Sequence, residues 1–300
     1  MSELDDLSIE ELRARLDRRG LRDDHAEIVR TLRAKQKVIY GVDDRVDVFR
    51  VTDAALLADA DSVVALFRSA DITDNSDGTS ALATENFGES MNLCGGEPFR
   101  DQPTGAFCSG FLVAPDVIAT AGHCVNAGDV TQIRFVFGFR MRDAATAATT
   151  IDNAQIYRGT ELLGRELDND GPDWALVRID REVTDHPVVR VRRSGRIPDG
   201  EPVHVIGHPS GLPTKVADGA AVRDNSPSAF FVANLDTYGG NSGSPVFNTT
   251  THEVEGILVR GENDFVSQGA CKISLICPTT TCRGEDCTRT TQFTHLLPDD

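Results

Sequence analysis

The sequence predicts an all-β protein that follows a short helical segment. From about residue 38 onward, short runs rich in β-branched and aromatic residues alternate with Gly, Pro, Asp and Asn. No long stretch of this region has apolar residues at helical spacing, so the pattern predicts a barrel or sandwich of many short strands. The runs that carry this prediction are RVDVFRV, FCSGFLV, VIATA, IRFVFGF, DWALVRI, HVIGH, AFFVANL, SPVF and VEGILVRG.

The helical segment is a predicted hairpin within an N-terminal extension, residues 1–40. Ser8 and Glu11 form a capping box, Gly20 ends the first helix, and a second capping box begins at Asp24. The hairpin resembles the short DNA-binding modules called SAP motifs. Its first 37 residues hold nine basic and nine acidic side chains, however, and this zero balance favours a docking site for a protein partner or a regulatory role over nucleic-acid binding.

The whole net charge of −17 lies in the remainder of the chain, which has 21 basic and 38 acidic residues. This strongly acidic part of the chain repels phosphate backbones and anionic membranes. Nucleic acids and membrane surfaces are therefore not expected partners. The sequence has no run of about 18 apolar residues, so no membrane span is predicted. Its first residues are charged, so no secretory signal is predicted. Seven cysteines favour an oxidising compartment, whereas the missing secretory signal argues against one. The sequence does not resolve this conflict.

Two polar regions are predicted to be irregular. Residues 68–90 read as a surface loop, and residues 279–292 are rich in Thr and Cys without a strand pattern.

The segment GGNSGSP carries the first candidate for chemistry. A G-x-S-x-G elbow is excluded because position 244 is Ser and because a strand, not a helix, follows. The N–H groups of Gly240 and Ser242 can instead face one oxygen, since a bulky residue at 240 would obstruct them. Ser242 is then a candidate nucleophile. The alternative is a flexible turn.

A serine nucleophile needs a base, and His123 is the candidate because it ends the apolar run in VIATAGHC. Cys108 and Cys124 lie 16 residues apart in a predicted strand, turn and strand. A disulfide between them would close this hairpin beside His123 and contribute about 3 kcal/mol. The alternative for His123 is a hydrogen-bonded residue at a strand end.

A carboxylate must then orient the imidazole. Asp173 opens the predicted strand DWALVRI, where it is half-buried and can reach a histidine. Asp168 and Asp170 are alternative candidates for this role. Because they lie in the preceding loop, they are predicted to be solvated. The same loop, DNDGPD, has calcium binding as an alternative, although it lacks the other ligands of a calcium loop.

The order His, Asp, Ser in TAGHC, DWAL and GNSGSP resembles the chymotrypsin-like serine proteases over about residues 40–298. The resemblance implies two six-stranded antiparallel β-barrels, about residues 41–165 and 172–298, within a protease domain at 41–300. It also implies a monomeric serine endopeptidase with polypeptide substrates and without cofactor or metal. The alternative is a catalytically silent peptide-binding module on the same fold.

Within that family, the serine motif is similar to the bacterial glutamyl endopeptidases. The resemblance implies that Ser242 is the nucleophile, His123 the base and Asp173 its orienting acid, with Gly240 and Ser242 forming the oxyanion hole. Digestive relatives carry an aspartate before the serine, which pairs with a newly cut N-terminus. Asn241 is neutral here, so activation is expected not to require that ion pair.

The resemblance does not determine which substrate side chain the pocket binds. Asp236 stands six residues before Ser242, where trypsin-like enzymes keep a pocket carboxylate. However, D-T-x-G-G, which includes Thr237, is also similar to the glutamyl branch. Leu258 replaces the histidine with which that branch binds an acidic side chain. Arg260, at the expected pocket rim, is a further candidate for attracting one.

Five further cysteines remain, and their odd number requires one to stay outside the intramolecular disulfides or to pair between chains. Zinc is an alternative for four of them, but C-x5-C-x4-C-x4-C lacks the paired C-x2-C of zinc ribbons. These residues are Cys94, Cys271, Cys277, Cys282 and Cys287.

Overall fold

The fold is known from a computed structural model, which describes Glu11, Arg15 and residues 39–40, 43–261, 265–277 and 282–298. Apart from Glu11 and Arg15, the predicted helical hairpin lies outside the described residues. Among the residues that are described, no helix has both the length and the apolar character needed to cross a membrane.

Short strands dominate the described part of the chain, as the sequence predicts, and two α-helices accompany them. The helices are α1 (Ala54–Asp61) and α2 (Phe87–Ser90). The strands are β1 (Ile39–Tyr40), β2 (Arg45–Asp47), β3 (Val63–Arg68), β4 (Ile72–Asp74), β5 (Thr79–Leu82), β6 (Glu85–Asn86), β7 (Pro103–Thr104), β8 (Cys108–Ala114), β9 (Val117–Thr120), β10 (Ile133–Val136), β11 (Thr150–Asp152), β12 (Ile156–Leu167), β13 (Asp173–Ile179), β14 (Pro202–Gly207), β15 (Lys215–Asp224), β16 (Phe230–Ala233), β17 (Pro245–Asn248), β18 (Val254–Arg260), β19 (Phe265–Gln268), β20 (Cys271–Ser274), β21 (Ile276–Cys277) and β22 (Glu285–Arg289).

The first barrel is a closed antiparallel ring of six strands in the order β10-β12-β13-β9-β8-β3. Strands β8 and β9 form the hairpin that the sequence predicts, and β9 then pairs with β13 so that Thr120 lies opposite Ala175. Every residue of β8 and β9 is buried, because their apolar runs are covered on both faces.

The second barrel closes six strands in the order β14-β17-β18-β22-β16-β15, with β15 pairing back to β14. Strand β2, near the start of the described chain, adds to the outer side of β15. One buried apolar cluster includes residues from both barrels, among them Phe111 and Leu176 from the first and Phe247 and Ile257 from the second. The two barrels are therefore packed against each other, and the prediction of two six-stranded antiparallel barrels is confirmed.

The prediction of irregular structure was wrong for parts of both polar regions. Residues 68–90 contain α2 and strands β4, β5 and β6, and β4 and β5 join β11 in a small sheet. Asp74 and Asp77 accept hydrogen bonds from nearby backbone N–H groups, which forms a tight turn between β4 and β5. The polar composition thus marked the turn of a hairpin with one solvated face, and the second region contains the buried strand β22.

Three disulfides join six of the seven cysteines. They are Cys94–Cys271, Cys108–Cys124 and Cys277–Cys282. The seventh, Cys287, is a buried thiol in the core of the second barrel. Three disulfides are typical of proteins that fold in an oxidising compartment.

Candidate active site

His123 lies in the turn that follows β9, and Asp173 is the first residue of the neighbouring strand β13. The His123 ring nitrogen Nδ1 is 2.8 Å from Asp173 Oδ2, and the backbone N–H of His123 donates to Asp173 Oδ1 at 3.1 Å. Both side chains are buried. An ionised carboxylate only accepts hydrogen bonds, so this contact places the proton of a neutral imidazole on Nδ1 and the ring's lone pair on Nε2.

This close approach depends on Gly122. A Cβ atom at position 122 would lie 2.2 Å from the carbonyl oxygen of Glu166 and 3.1 Å from Asp173 Oδ1. The backbone N–H of Asp173 in turn donates to Thr288 Oγ1 on β22 of the second barrel, at 3.1 Å. Asp173 is therefore held by its side chain in the first barrel and by its backbone N–H in the second.

Ser242 lies in the loop before β17, and this loop is docked against β8. The backbone N–H of Ser109 donates to the Ser242 carbonyl oxygen at 2.9 Å, and the Ser109 hydroxyl donates to the Gly240 carbonyl oxygen at 3.1 Å. Cys124 Sγ lies 3.8 Å from the same Ser242 oxygen. Because Cys124 directly follows His123, these contacts bring the serine loop beside the histidine turn.

The residue after Ser242 also has to be glycine. Gly243 adopts a φ of +90°, and a Cβ atom there would lie 2.0 Å from the Ser109 carbonyl oxygen and 2.3 Å from Thr120 Oγ1. Since neither β8 nor β9 can retreat from its place in the barrel, the loop approaches the first barrel this closely only with Gly at 243.

The peptide between Gly239 and Gly240 has a defined orientation. The Gly239 carbonyl oxygen accepts a hydrogen bond from the backbone N–H of Ser210, and Gly240 has a φ of +99°. In a trans peptide the N–H points opposite to the carbonyl, so the Gly240 N–H faces away from Ser210. Within the described residues, neither this N–H nor that of Ser242 donates a hydrogen bond.

A second histidine, His208, lies behind the serine loop. Its backbone N–H donates to the Ser109 hydroxyl at 2.9 Å, and its ring Nδ1 is 3.0 Å from the Leu212 carbonyl oxygen. Burial lowers the pKa of His208 to about 3, so its ring remains neutral at physiological pH. This ring supports the loop and is not positioned as a rival base.

The four candidate pocket residues are all buried. Both oxygens of Asp236 accept backbone N–H groups, from Tyr40 at 2.6 Å and from Asp44 at 3.1 Å, and burial raises the pKa of Asp236. Thr237 Oγ1 donates to a buried glutamate, Glu285 Oε2, at 3.3 Å.

Leu258 is fully buried in the core of the second barrel. Arg260, which was expected at the pocket rim, is the last residue of β18. Its guanidinium is buried, donates to Asp286 Oδ2 at 3.0 Å and donates to the carbonyl oxygens of Asp168 and Gly171. A cation on a core strand needs such partners, since burial without them would leave its charge uncompensated.

Sequence reasoning missed two residues, Ser109 and Thr288, that hold the backbone of the serine loop and of Asp173. Each acts through a partner more than 100 residues away along the chain. No local signal distinguishes them, because a buried serine or threonine on a strand occurs in many folds without such a role.

Three side chains, Cys108, His123 and Cys124, also place their potential ligand atoms within 4.8 Å of one another. The two sulfur atoms are joined in a disulfide, however, and a disulfide sulfur lacks the thiolate charge that binds a metal. This group therefore belongs to the site just described.

Comparisons with known proteins identify a family for this chain. The family model described as "Trypsin-like peptidase domain" matches residues 108–257, which include His123, Asp173 and Ser242. No sequence among the curated proteins matches the chain.

Two solved structures share the fold at low sequence identity. A Glu endopeptidase solved in complex with MPD is 17% identical with a TM-score of 0.50, and the match covers 87% of this chain and 97% of that one. The VesB protease of Vibrio cholerae is 16% identical with a TM-score of 0.51, and the match covers 87% of this chain and 67% of that one. At these identities the likeness shows the two-barrel fold.

Proposed function

The chain belongs to the trypsin-like peptidase family, a family of hydrolases that act on polypeptides, and on that premise we propose that it is a serine endopeptidase. Ser242 is the nucleophile, His123 the general base and Asp173 the residue that orients the imidazole. The observation that carries the proposal is the 2.8 Å contact between His123 Nδ1 and Asp173 Oδ2, beside the loop that holds Ser242.

The reaction begins when the Ser242 hydroxyl attacks the scissile carbonyl carbon and its proton passes to His123 Nε2. The resulting imidazolium is stabilised by the buried carboxylate of Asp173. The negative charge that develops on the carbonyl oxygen is stabilised by the N–H groups of Gly240 and Ser242. His123 then gives its proton to the leaving amine, and water releases the acyl group by the same steps in reverse.

Hydrogen bonds from two serines support the role of Gly240 in the oxyanion hole. Ser210 anchors the Gly239 carbonyl oxygen, while Ser109 anchors the Gly240 carbonyl oxygen. The peptide that carries the Gly240 N–H is thus set before substrate binds. An N–H donor that is already oriented lowers the barrier to reaction, since removal of a single donor typically costs about 3–4 kcal/mol.

The serine loop is also held by the chain's own N-terminal region. Asp236 accepts two backbone N–H groups there, and the guanidinium of Arg45 stacks 3.6 Å from the ring centroid of Tyr238. Neither contact involves a free N-terminal amine. Together with the neutral Asn241, they support an enzyme whose serine loop is ordered without prior cleavage.

The proposal is tested by labelling with a fluorophosphonate, which reacts covalently only with an activated serine. We expect wild-type protein to be labelled and the variants Ser242→Ala and His123→Ala to be unlabelled. Ser244→Ala, two residues further along, is the matched control for the position of attack. Labelling that persists in folded Ser242→Ala would refute the assignment, and a folded wild-type protein without labelling would favour the silent peptide-binding module.

A further inference from the structure

A second group of interacting polar side chains lies outside the candidate active site. Asp59 on α1, His204 on β14 and His252 in the turn between β17 and β18 bring their side chains together, although they are up to 193 residues apart along the chain. Asp59 Oδ2 lies 3.1 Å from His204 Nε2 and 2.6 Å from His252 Nδ1. The proposed peptidase reaction uses none of the three.

Two of these side chains are held in place before any ligand binds. The His204 ring stacks on Phe247, with ring centroids 5.0 Å apart, and its Nδ1 is 3.2 Å from Thr249 Oγ1. Both the His204 and the Asp59 side chains are buried. A partner on the far ring nitrogen is the arrangement that orients histidine ligands at metal sites, because it fixes which nitrogen faces the ion.

The third side chain is more accessible and adjustable. His252 is 31% exposed at its side chain and has a φ of +55°, a conformation that residues other than glycine rarely adopt. Its turn is closed by Asn248, whose side-chain oxygen accepts the N–H groups of Thr250 and Thr251. The turn thus directs the imidazole of His252 towards Asp59 while leaving one side of the group open to water.

The donor set matches the requirements of zinc. Two neutral imidazole nitrogens and one carboxylate oxygen carry one negative charge, and three protein ligands with one water form a common zinc geometry. Bond lengths near 2.05 Å at tetrahedral angles separate two ligand atoms by about 3.3 Å. The distance from Asp59 to His204 is close to this value, and that to His252 requires the exposed ring to retreat by about 0.7 Å.

We propose that Asp59, His204 and His252 bind a divalent zinc ion that joins α1 to the second barrel. Helix α1 ends at Asp61 and leads directly into β3 of the first barrel, whereas the two histidines belong to the second barrel. The ion therefore cross-links the two barrels on their contact side. Its role is structural, and it stabilises the folded chain because the unfolded chain does not hold the three ligands together.

The test is a titration of metal-stripped, full-length protein with zinc sulfate, followed by thermal unfolding and by metal analysis after dialysis. We expect one bound zinc per chain and, at a free zinc concentration about 100 times Kd, a rise in Tm of about 5 °C or more. Replacement by cobalt should give the visible absorption of a tetrahedral site. A stripped protein that binds no zinc at millimolar concentration would overturn the proposal.

Variants separate this site from zinc binding elsewhere on an acidic surface. His252→Asn tolerates the positive φ but removes the imidazole, and Asp59→Asn keeps the size of its side chain while removing the charge. Each should lower zinc affinity at least 100-fold and abolish the rise in Tm. The matched control is His295→Asn, at an exposed histidine outside the group. Equal zinc binding by wild type and His252→Asn would overturn the proposal, as would equal loss in the control.

Discussion

The substitution Asp173→Asn tests the orientation of the candidate base most sharply, because it changes charge and hydrogen bonding with almost no change in shape. The carboxylate accepts two hydrogen bonds from His123, one from ring Nδ1 at 2.8 Å and one from the backbone N–H at 3.1 Å. An amide offers one oxygen that accepts and one NH2 group that donates. It can therefore satisfy only one of these two contacts.

Each orientation of the amide has a defined consequence. If its oxygen faces the ring, its NH2 group opposes the buried backbone N–H of His123, and an unsatisfied buried donor costs about 1–3 kcal/mol. If it turns over, the NH2 group donates to Nδ1, and the ring proton moves to Nε2. An imidazole in that tautomer cannot take the proton of Ser242.

We expect kcat to fall on the order of 10⁴-fold, as in the triad template of the chymotrypsin-like enzymes, which corresponds to about 5.5 kcal/mol in the activation barrier. The assay is hydrolysis of a fluorogenic peptide selected from a library with the wild-type protein, with Tm measured in parallel. Asp170→Asn, in the exposed loop nearby, is the control and should retain activity within about twofold. A loss below about tenfold in folded Asp173→Asn would refute the assigned role.

The remaining predictions concern the support of the serine loop. Ser109→Ala removes a hydroxyl that contacts both Gly240 and His208, so kcat should fall about tenfold while KM changes little; a raised KM at constant kcat would contradict this. The pKa of buried His208 is lowered to about 3, so the unfolded chain takes up a proton that the folded chain excludes. Stability should therefore fall as pH decreases from 6.5 towards 3, by up to about 1.4 kcal/mol per pH unit, and His208→Gln should flatten this slope in urea titrations. Because Asn241 cannot pair with a new N-terminus, intact chain verified by mass spectrometry should hydrolyse peptide, whereas activity that appears only after cleavage near residue 40 would contradict this reasoning.

The sequence predicted those features whose signals are local. The hairpin of β8 and β9 could be predicted because FCSGFLV and VIATA are separated by a Pro-Asp turn, and the pairing of Cys108 with Cys124 follows from that hairpin. His123, Asp173 and Ser242 each lie in a short motif with a recognisable residue pattern. Such motifs identify candidates without giving the contacts between them.

Long-range contacts could not be predicted in the same way. The disulfide between Cys94 and Cys271 joins residues 177 apart, and the spacing of the cysteines alone allows many other pairings. Asp236 was a candidate for substrate binding because of its distance from the serine, yet its partners are backbone groups near residue 40. The polar group that a buried carboxylate contacts depends on how two distant segments pack. The composition of the chain does not reveal this packing.

Helix α1 shows the opposite case, in which a local signal was present but unused. Asp53 precedes it and accepts the N–H groups of Ala55 and Leu56, as an N-cap residue does. Its eight residues, AALLADAD, favour a helix by intrinsic propensity. This helix was not predicted because strand-rich segments surround it. The position of Asp59 beside two histidines of the other barrel was therefore not predicted either.

The most direct test of the central claim is a crystal structure of the protein after reaction with a small phosphonate inhibitor. We predict a covalent bond from the phosphorus atom to Ser242 Oγ, a phosphonyl oxygen within hydrogen-bonding distance of the N–H groups of Gly240 and Ser242, and His123 Nε2 about 3 Å from the bonded oxygen. Phosphorus attached to another residue, or a His123 ring turned away from Ser242, would contradict the account.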